Sequence, residues 1–225
     1  MQKIDIGRSL IDETTHRIRE AILSGELALG TKLSEQRLAD MLGISRSPVS
    51  QALTILSTEG LVDIYPKRGS FVFVPDAKDV HELCEYRAVL ETAAFALSYA
   101  RSRRTLMDAL TSAVEAMEAA LAIGDRARYT LQDLAFHDAL ISNCANSRIK
   151  LAYDRSMGPI LAIRAHVFSA TSVNSDRSMQ EHRDIVACCQ KQRPGKAREI
   201  LALHIQHLAD EFQLSTRSNQ ETAGV

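Results

Sequence analysis

The sequence predicts a mostly α protein in two parts: a small three-helix module with a β-hairpin, then an all-α antiparallel helical bundle. Three observations predict it. Breakers are sparse, with 10 Gly and 5 Pro in 225 residues, and aromatics are only 5% with no Trp, while helix formers abound. Apolar residues recur at helical spacing through most of the chain. A clear change of period, to β-rich alternation, follows Gly60.

In the amino-terminal third, Ser9 is placed to cap a helix with Ile11, Thr15, Ile18 and Ile22 on one face, ended by Gly25. Ser34 precedes a second helix, Glu35 to Leu42, anchored by Leu38 and Leu42 and stopped by Gly43. Ser45-Arg46-Ser47-Pro48 opens a third with a Ser cap and a first-turn Pro. Its apolar face is Val49, Leu53 and Leu56, and Gly60 ends it. The short connection around Gly43 suits a helix-turn-helix. Leu61 to Tyr65 and Ser70 to Val74 then read as strands joined by Pro66-Lys67-Arg68-Gly69, a basic hairpin tip like the wing of a winged helix-turn-helix. Arg46, Ser47, Ser50, Gln51 and Thr54 stand at or near the solvent-facing start of the third helix, as hydrogen-bonding groups sized for base edges and phosphates.

Charge alone decides little. The chain carries 27 Lys+Arg against 28 Asp+Glu, and residues 1–75 are neutral, so DNA binding requires Arg37, Arg46, Lys67 and Arg68 to share a face. The competing reading is a three-helix interaction module with a solvated basic turn. Cys84, Cys144, Cys188 and Cys189 lack C-x-x-C spacing, which argues against a disulfide scaffold or cysteine zinc site. No apolar run approaches the ~18–20 residues of a membrane span. The start, MQKIDIGRSLIDETT, lacks a secretion-signal core, so a cytoplasmic protein with no membrane partner is expected.

Pro75-Asp76 is a short linker that divides residues 1–75 from 76–216, with 217–225 as a polar tail. The second part reads as helices near 78–101, 103–123, 125–143, 147–169, 176–192 and 194–216. Several carry ionisable groups on apolar faces. Arg87 falls in the stripe Val80, Leu83, Arg87, Leu90, Ala94, Leu97; Asp133 and His137 share a face; His182 lies in the series Met179, His182, Val186, Cys189; His204 aligns with Leu201 and Leu208. Burying such groups unpaired costs on the order of ~2–7 kcal/mol each, more for ions. Their recurrence in several helices indicates a polar site inside the bundle. One Asp and three His are ligands for a divalent metal, with Asp133 and His137 spaced i, i+4. Singly, each also suits a satisfied core or surface residue, and for Arg87 the competing reading is a buried structural pair with Glu91 or Asp133. The remaining histidines, His16, His81, His166 and His207, read as surface or rim groups.

The stretch LSEQRLADMLGISRSPVSQALTILSTEGLVDIYPKRGSFV resembles the winged helix of GntR-type bacterial transcription regulators, through Leu33-Ser34-Glu35, Arg37-Leu38-Ala39, Ser45-Arg46-x-Pro48-Val49, Glu59-Gly60-Leu61 and Arg68-Gly69-x-Phe71-Val72. The resemblance implies that Arg37 and Arg46 contact DNA and that Gly69 lets the hairpin tip approach the minor groove. Ser45, Ser47, Ser50, Gln51, Lys67 and Arg68 complete the expected DNA-binding set. Ser50 and Gln51 depart from the Arg and Glu common at those positions, so the commonest operator sequence is not expected.

Asp133-x-x-Phe136-His137, Glu181-His182-Arg183-x-Ile185 and His204 resemble the metal-binding effector domain of the FadR-type branch, and Arg87-x-x-x-Glu91 resembles its first-helix signature. Six helices suit the smaller, VanR-like variant. The resemblance implies that Asp133, His137, His182 and His204 hold Zn²⁺, with Ni²⁺ or Mn²⁺ as alternatives, and that Arg87 and Ser178 bind a small organic acid. Arg164, Phe168 and Glu211 are further effector candidates. The expected protein is a homodimeric, metabolite-responsive repressor on an inverted-repeat operator, not an enzyme. The alternatives are a metal-sensing regulator, a purely structural metal and, more remotely, a metalloenzyme.

Overall fold

The structure, a computed structural model, describes residues 10–170 and 175–223, and the side-chain environments of 10–167 and 176–215. The chain divides into two compact units. One comprises Met1–Asp76 with Ser156–Thr171, and the other Ala77–Arg155 with Ser172–Val225.

The first unit contains α1 (Leu10–Leu23), β1 (Lys32–Leu33), α2 (Glu35–Leu42), α3 (Arg46–Thr58), β2 (Val62–Tyr65) and β3 (Gly69–Val72). Ile18 and Ile22 of α1, Leu38 and Ala39 of α2, and Val49, Ala52, Leu53 and Leu56 of α3 are buried, each large apolar group contributing roughly 1.5–3 kcal/mol. Thr14 and Thr15 are also buried. Their hydroxyls donate to the carbonyls of Leu10 and Ile11, four residues back, so neither burial leaves a polar group unmet.

The Ser34 side chain accepts the Arg37 N–H at the start of α2, and Gly43 ends it in the left-handed region at φ 68. Ser45 stands at the N-cap of α3 in extended conformation but makes no side-chain cap hydrogen bond, contrary to its predicted capping role. Ser9 lies outside the described residues.

The sheet is antiparallel in the order β1-β3-β2, with Val62 paired to Val72, Tyr65 to Gly69, and Lys32 to Phe71. The hairpin was legible, whereas β1 was not, because two residues carry no period. Arg19 donates two hydrogen bonds, 2.9 and 2.7 Å, to the Glu59 carboxylate and so ties α1 to the end of α3.

The second unit is built from α4 (Ala77–Arg101), α5 (Arg103–Ala122), α6 (Arg126–Ser142), the first part of α7 (Ser147–Ala170), α8 (Ser175–Gln190) and α9 (Pro194–Ala223). α4 and α8 pack along α9, α5 along α6, and α6 against α4. All six helices were predicted, mostly within two residues of their ends. α9 departs from the prediction: it continues to Ala223, past the expected end at 216, because no Gly or Pro interrupts the polar stretch before Gly224. α7 was read as wholly part of the bundle, yet its second half packs in the first unit. There a Cβ at Gly158 would lie 3.3 Å from Leu61 Cδ1, so glycine leaves room for that leucine.

In α4 the buried positions are Val80, Cys84, Arg87, Glu91, Ala94, Phe95 and Ser98. The expected stripe is corrected at Leu83, Leu90 and Leu97, which are half-buried, because the ionised side chain of Glu91 takes an inward position. Among the described residues no helix is long and apolar enough to cross a membrane.

Candidate functional site

Four donor groups converge inside the second unit. Asp133 and His137 come from α6, His182 from α8 and His204 from α9, and one ligand atom from each lies within 4.8 Å of the others. Asp133, His137 and His182 are buried, at 2%, 0% and 0% exposure, and His204 is half-buried. Asp133 Oδ1 is 3.5 Å from His182 Nε2 and Oδ2 is 3.9 Å from His137 Nε2. The i, i+4 spacing on α6 puts carboxylate and imidazole on one face, and packing against α8 and α9 supplies the rest.

Two carboxylates to which sequence reasoning gave no part in the metal cluster orient the rings. Glu91 Oε2 lies 2.6 Å from His137 Nδ1, and Glu181 Oε2 lies 2.9 Å from His204 Nδ1. An ionised carboxylate only accepts, so each Nδ1 carries the proton and each Nε2 presents a lone pair. Those two Nε2 atoms face each other at 3.2 Å. Lone pairs so placed repel unless a proton or cation lies between them. Two imidazoles each about 2.0–2.1 Å from one tetrahedral ion would have nitrogens roughly 3.3 Å apart. The donor chemistry and spacing therefore fit a divalent cation.

Glu91 also accepts a 2.5 Å hydrogen bond from Arg87 Nε. Burial works against its charge, but Arg87 and then His137 hold the carboxyl down at about 2. Burial, reinforced by Arg87, lowers His137 to about 4 despite the opposing pull of Glu91, which keeps the ring neutral and able to coordinate. Arg87 is held charged against burial by Glu91, Tyr153 and Asp133. Its Nη2 is buried with no hydrogen-bond partner among the described residues. Both folded values lie below the ordinary ones, so the unfolded chain binds more protons and stability rises with pH. The His137 contribution is complete above about pH 6.5 and is lost as pH falls through about 4, and that of Glu91 is lost between about 4.5 and 2. Chelator-treated protein should lose on the order of 3 kcal/mol from the His137 step. Thermal melts at pH 7.5, 6, 5 and 4 check this, and a melting temperature unchanged from 7.5 to 5 refutes it.

Ser178 is half-buried and accepts a 3.1 Å hydrogen bond from the Tyr129 hydroxyl, a partner sequence reasoning missed. Glu211 accepts from Arg177 at 3.2 Å. Arg164 belongs to the first unit, and the Phe168 side chain lies outside those described. His207, read as a rim group, is half-buried with Nδ1 3.0 Å from Glu181.

In the first unit Arg37, Ser45, Arg46, Ser47 and Gln51 are exposed, as are Lys67, Arg68 and Gly69 at the hairpin tip, while Ser50 is half-buried. Gly69 adopts φ 101, a region open chiefly to glycine. Arg46 Nη2 bonds Glu35 Oε2 at 2.9 Å, and Arg46 followed by Ser50 holds the Glu35 carboxyl below its usual range. Gln51 Nε2 donates to Ser47 Oγ at 3.2 Å. Lys32 was missed as a tip cation: a Cβ at Gly69 would lie 3.7 Å from Lys32 Cε, and β1 is what brings it there.

A helix-turn-helix with a basic hairpin, joined in one chain to a helical unit holding a buried polar cluster, defines a one-component transcription regulator. Residues 10–72 match the family described as bacterial regulatory proteins, gntR family, and residues 82–207 match the FCD domain. The chain belongs to the GntR family of transcription regulators, in its FadR-type branch with an FCD domain. A regulator of Agrobacterium vitis, described as an uncharacterized HTH-type transcriptional regulator in the TAR-I ttuE-ttuC' intergenic region, is 35% identical over 133 residues, 58% of this chain and 77% of that protein. The gluconate operon transcriptional repressor of Bacillus licheniformis is 28% identical over 144 residues, 64% of this chain, which spans only 58% of that repressor's length. A GntR regulator from Rhodococcus sp. RHA1 shares the fold with a TM-score of 0.74 at 22% identity, over 91% of this chain and 98% of that one. The relatives are transcription regulators rather than enzymes.

Proposed function

We propose that the protein is a cytoplasmic, metabolite-responsive repressor in which residues 1–75 read DNA and residues 76–216 bind a divalent metal and a small organic acid. Asp133, His137, His182 and His204 hold the metal, Zn²⁺ being the best match to a compact His₃Asp set. When bound, the ion supplies a positive centre with coordination positions left for a ligand oxygen. The observation that carries the effector reading is Arg87 Nη2, a buried guanidinium nitrogen without a hydrogen-bond partner among the described residues, because such a group is costly unless a ligand satisfies it. A carboxylate suits it in charge and geometry. Arg87 Nε stays on Glu91, and Ser178, held by Tyr129, contributes a hydroxyl to the pocket wall.

Two winged helices of a homodimer would read the two halves of an inverted repeat. The acid alters operator affinity to the extent that it binds one conformation more tightly, about 1.4 kcal/mol of difference for each tenfold change. Because one relative is named as a gluconate operon repressor, sugar acids are the first class to test.

The test begins with capture of fragmented genomic DNA on the metal-loaded protein. Enrichment of a few sites sharing one inverted repeat is expected, and uniform recovery at low salt refutes the DNA reading. Calorimetry with acids nominated by the neighbouring genes follows. Binding by the native chain, weakened at least tenfold in Arg87→Ala, is expected. Equal binding by both removes Arg87 from the effector site.

A further inference from the structure

One face of α4 is exposed, covered by none of the described residues. Glu82, Tyr86, Val89, Ala93, Ala96 and Ala100 are all exposed, Tyr86 at 44% and Val89 at 67%. They recur at alternating steps of four and three residues, the repeat that keeps one seam of a helix turned towards a partner helix. The other face of α4, with Val80, Cys84, Ala94 and Phe95, is buried within the chain's own core. A helix with apolar surface on both sides is suited to being covered on both.

The charges at its two ends say what kind of partner fits. Asp79, Glu82 and Glu85, with Lys78 and His81, mark the amino-terminal end, and Arg101, Arg103 and Arg104 cluster at the carboxy-terminal end and the start of α5. Arg104 makes no ion pair among the described residues. A second copy of α4 running antiparallel would bring the acidic end of each helix to the basic end of the other and oppose their dipoles. A parallel copy would place like charges together. The pattern is thus self-complementary, as a two-fold interface requires. An antiparallel register also sets Tyr86 against Ala96 and Val89 against Ala93, large against small, so the seams interdigitate.

We propose that this seam is the docking surface for a second copy of the chain, α4 against α4 across a two-fold axis. The proposal rests on the homodimer of the preceding reading and assigns its surface. Sedimentation equilibrium of the full chain at micromolar concentration, without DNA, tests it. The native protein is expected to be a dimer and Ala93→Arg a monomer of unchanged helical circular dichroism, since arginine at an exposed helical site keeps the helix. Charge reversal provides an independent arm. Glu82→Arg with Glu85→Arg should weaken the dimer at least tenfold, and adding Arg103→Glu and Arg104→Glu should restore it. A native dimer untouched by Ala93→Arg overturns this surface but leaves the two-headed regulator standing, and so does charge reversal without rescue. A native monomer overturns both the surface and the homodimer.

Discussion

Replacing His182 with Ala is expected to abolish stoichiometric metal binding and to leave the protein no more stable than the chelated native chain. His182 is fully buried, with Nε2 3.5 Å from Asp133 and its ring centroid 4.3 Å from that of His204. A ligand that binds only the folded state at 100–1,000 times its dissociation constant stabilises by roughly 2.7–4.1 kcal/mol. For a chain of this size that corresponds to about 5–16 °C in melting temperature. Asp133→Asn, which keeps the shape and removes the charge, should show the same metal loss with little cavity cost. Elemental analysis gives the metal content, and melts with and without chelator give the stability. Near one metal per chain is expected for the native protein and under a tenth for each variant, with chelator shifting only the native melt. Retention of the metal by both variants, or a native melt indifferent to chelation, would remove the His₃Asp set from that role.

Arg46→Ala should weaken operator binding by about 1–3 kcal/mol, 5- to 150-fold, because a direct contact from the first turn of a recognition helix carries that much. Arg46 is exposed and its Glu35 partner lies at the surface, so the substitution would remove the proposed DNA contact without opening the core. If the contact is to phosphate, the slope of log affinity against log salt falls by about one and all sequences weaken alike; if to a base, discrimination falls at one position. Fluorescence anisotropy on the captured operator across a salt series separates these results. Affinity within twofold of native at every salt would exclude Arg46 from the interface.

The helices were legible because each carries both an apolar period and a stop, as α2 does with Leu38 buried and Gly43 in the left-handed region. The inward Asp133, His137 and His182 were legible for the complementary reason, that they break an apolar face. Glu91 was harder to read. It appeared within a resembled signature and as one candidate partner for a buried Arg87, but not as the group that orients His137, because that ring lies 46 residues away in the sequence. Glu181 and Tyr129 share that character, since their role lies in a partner distant in sequence. β1 was missed because its pairing is decided by β3, and the division of α7 between units because one uninterrupted period says nothing about what each half packs against.

The placement of Glu91 between Arg87 and His137 has a thermodynamic consequence. A single carboxylate that orients an imidazole on one side and a guanidinium on the other links the two flanking equilibria, and any such linkage is reciprocal. On the reading proposed above, whatever factor the ion adds to retention of an acid at Arg87, the acid returns to retention of the ion. Chelator resistance would then follow effector concentration, so that the regulator would respond to the joint availability of acid and metal rather than to either alone.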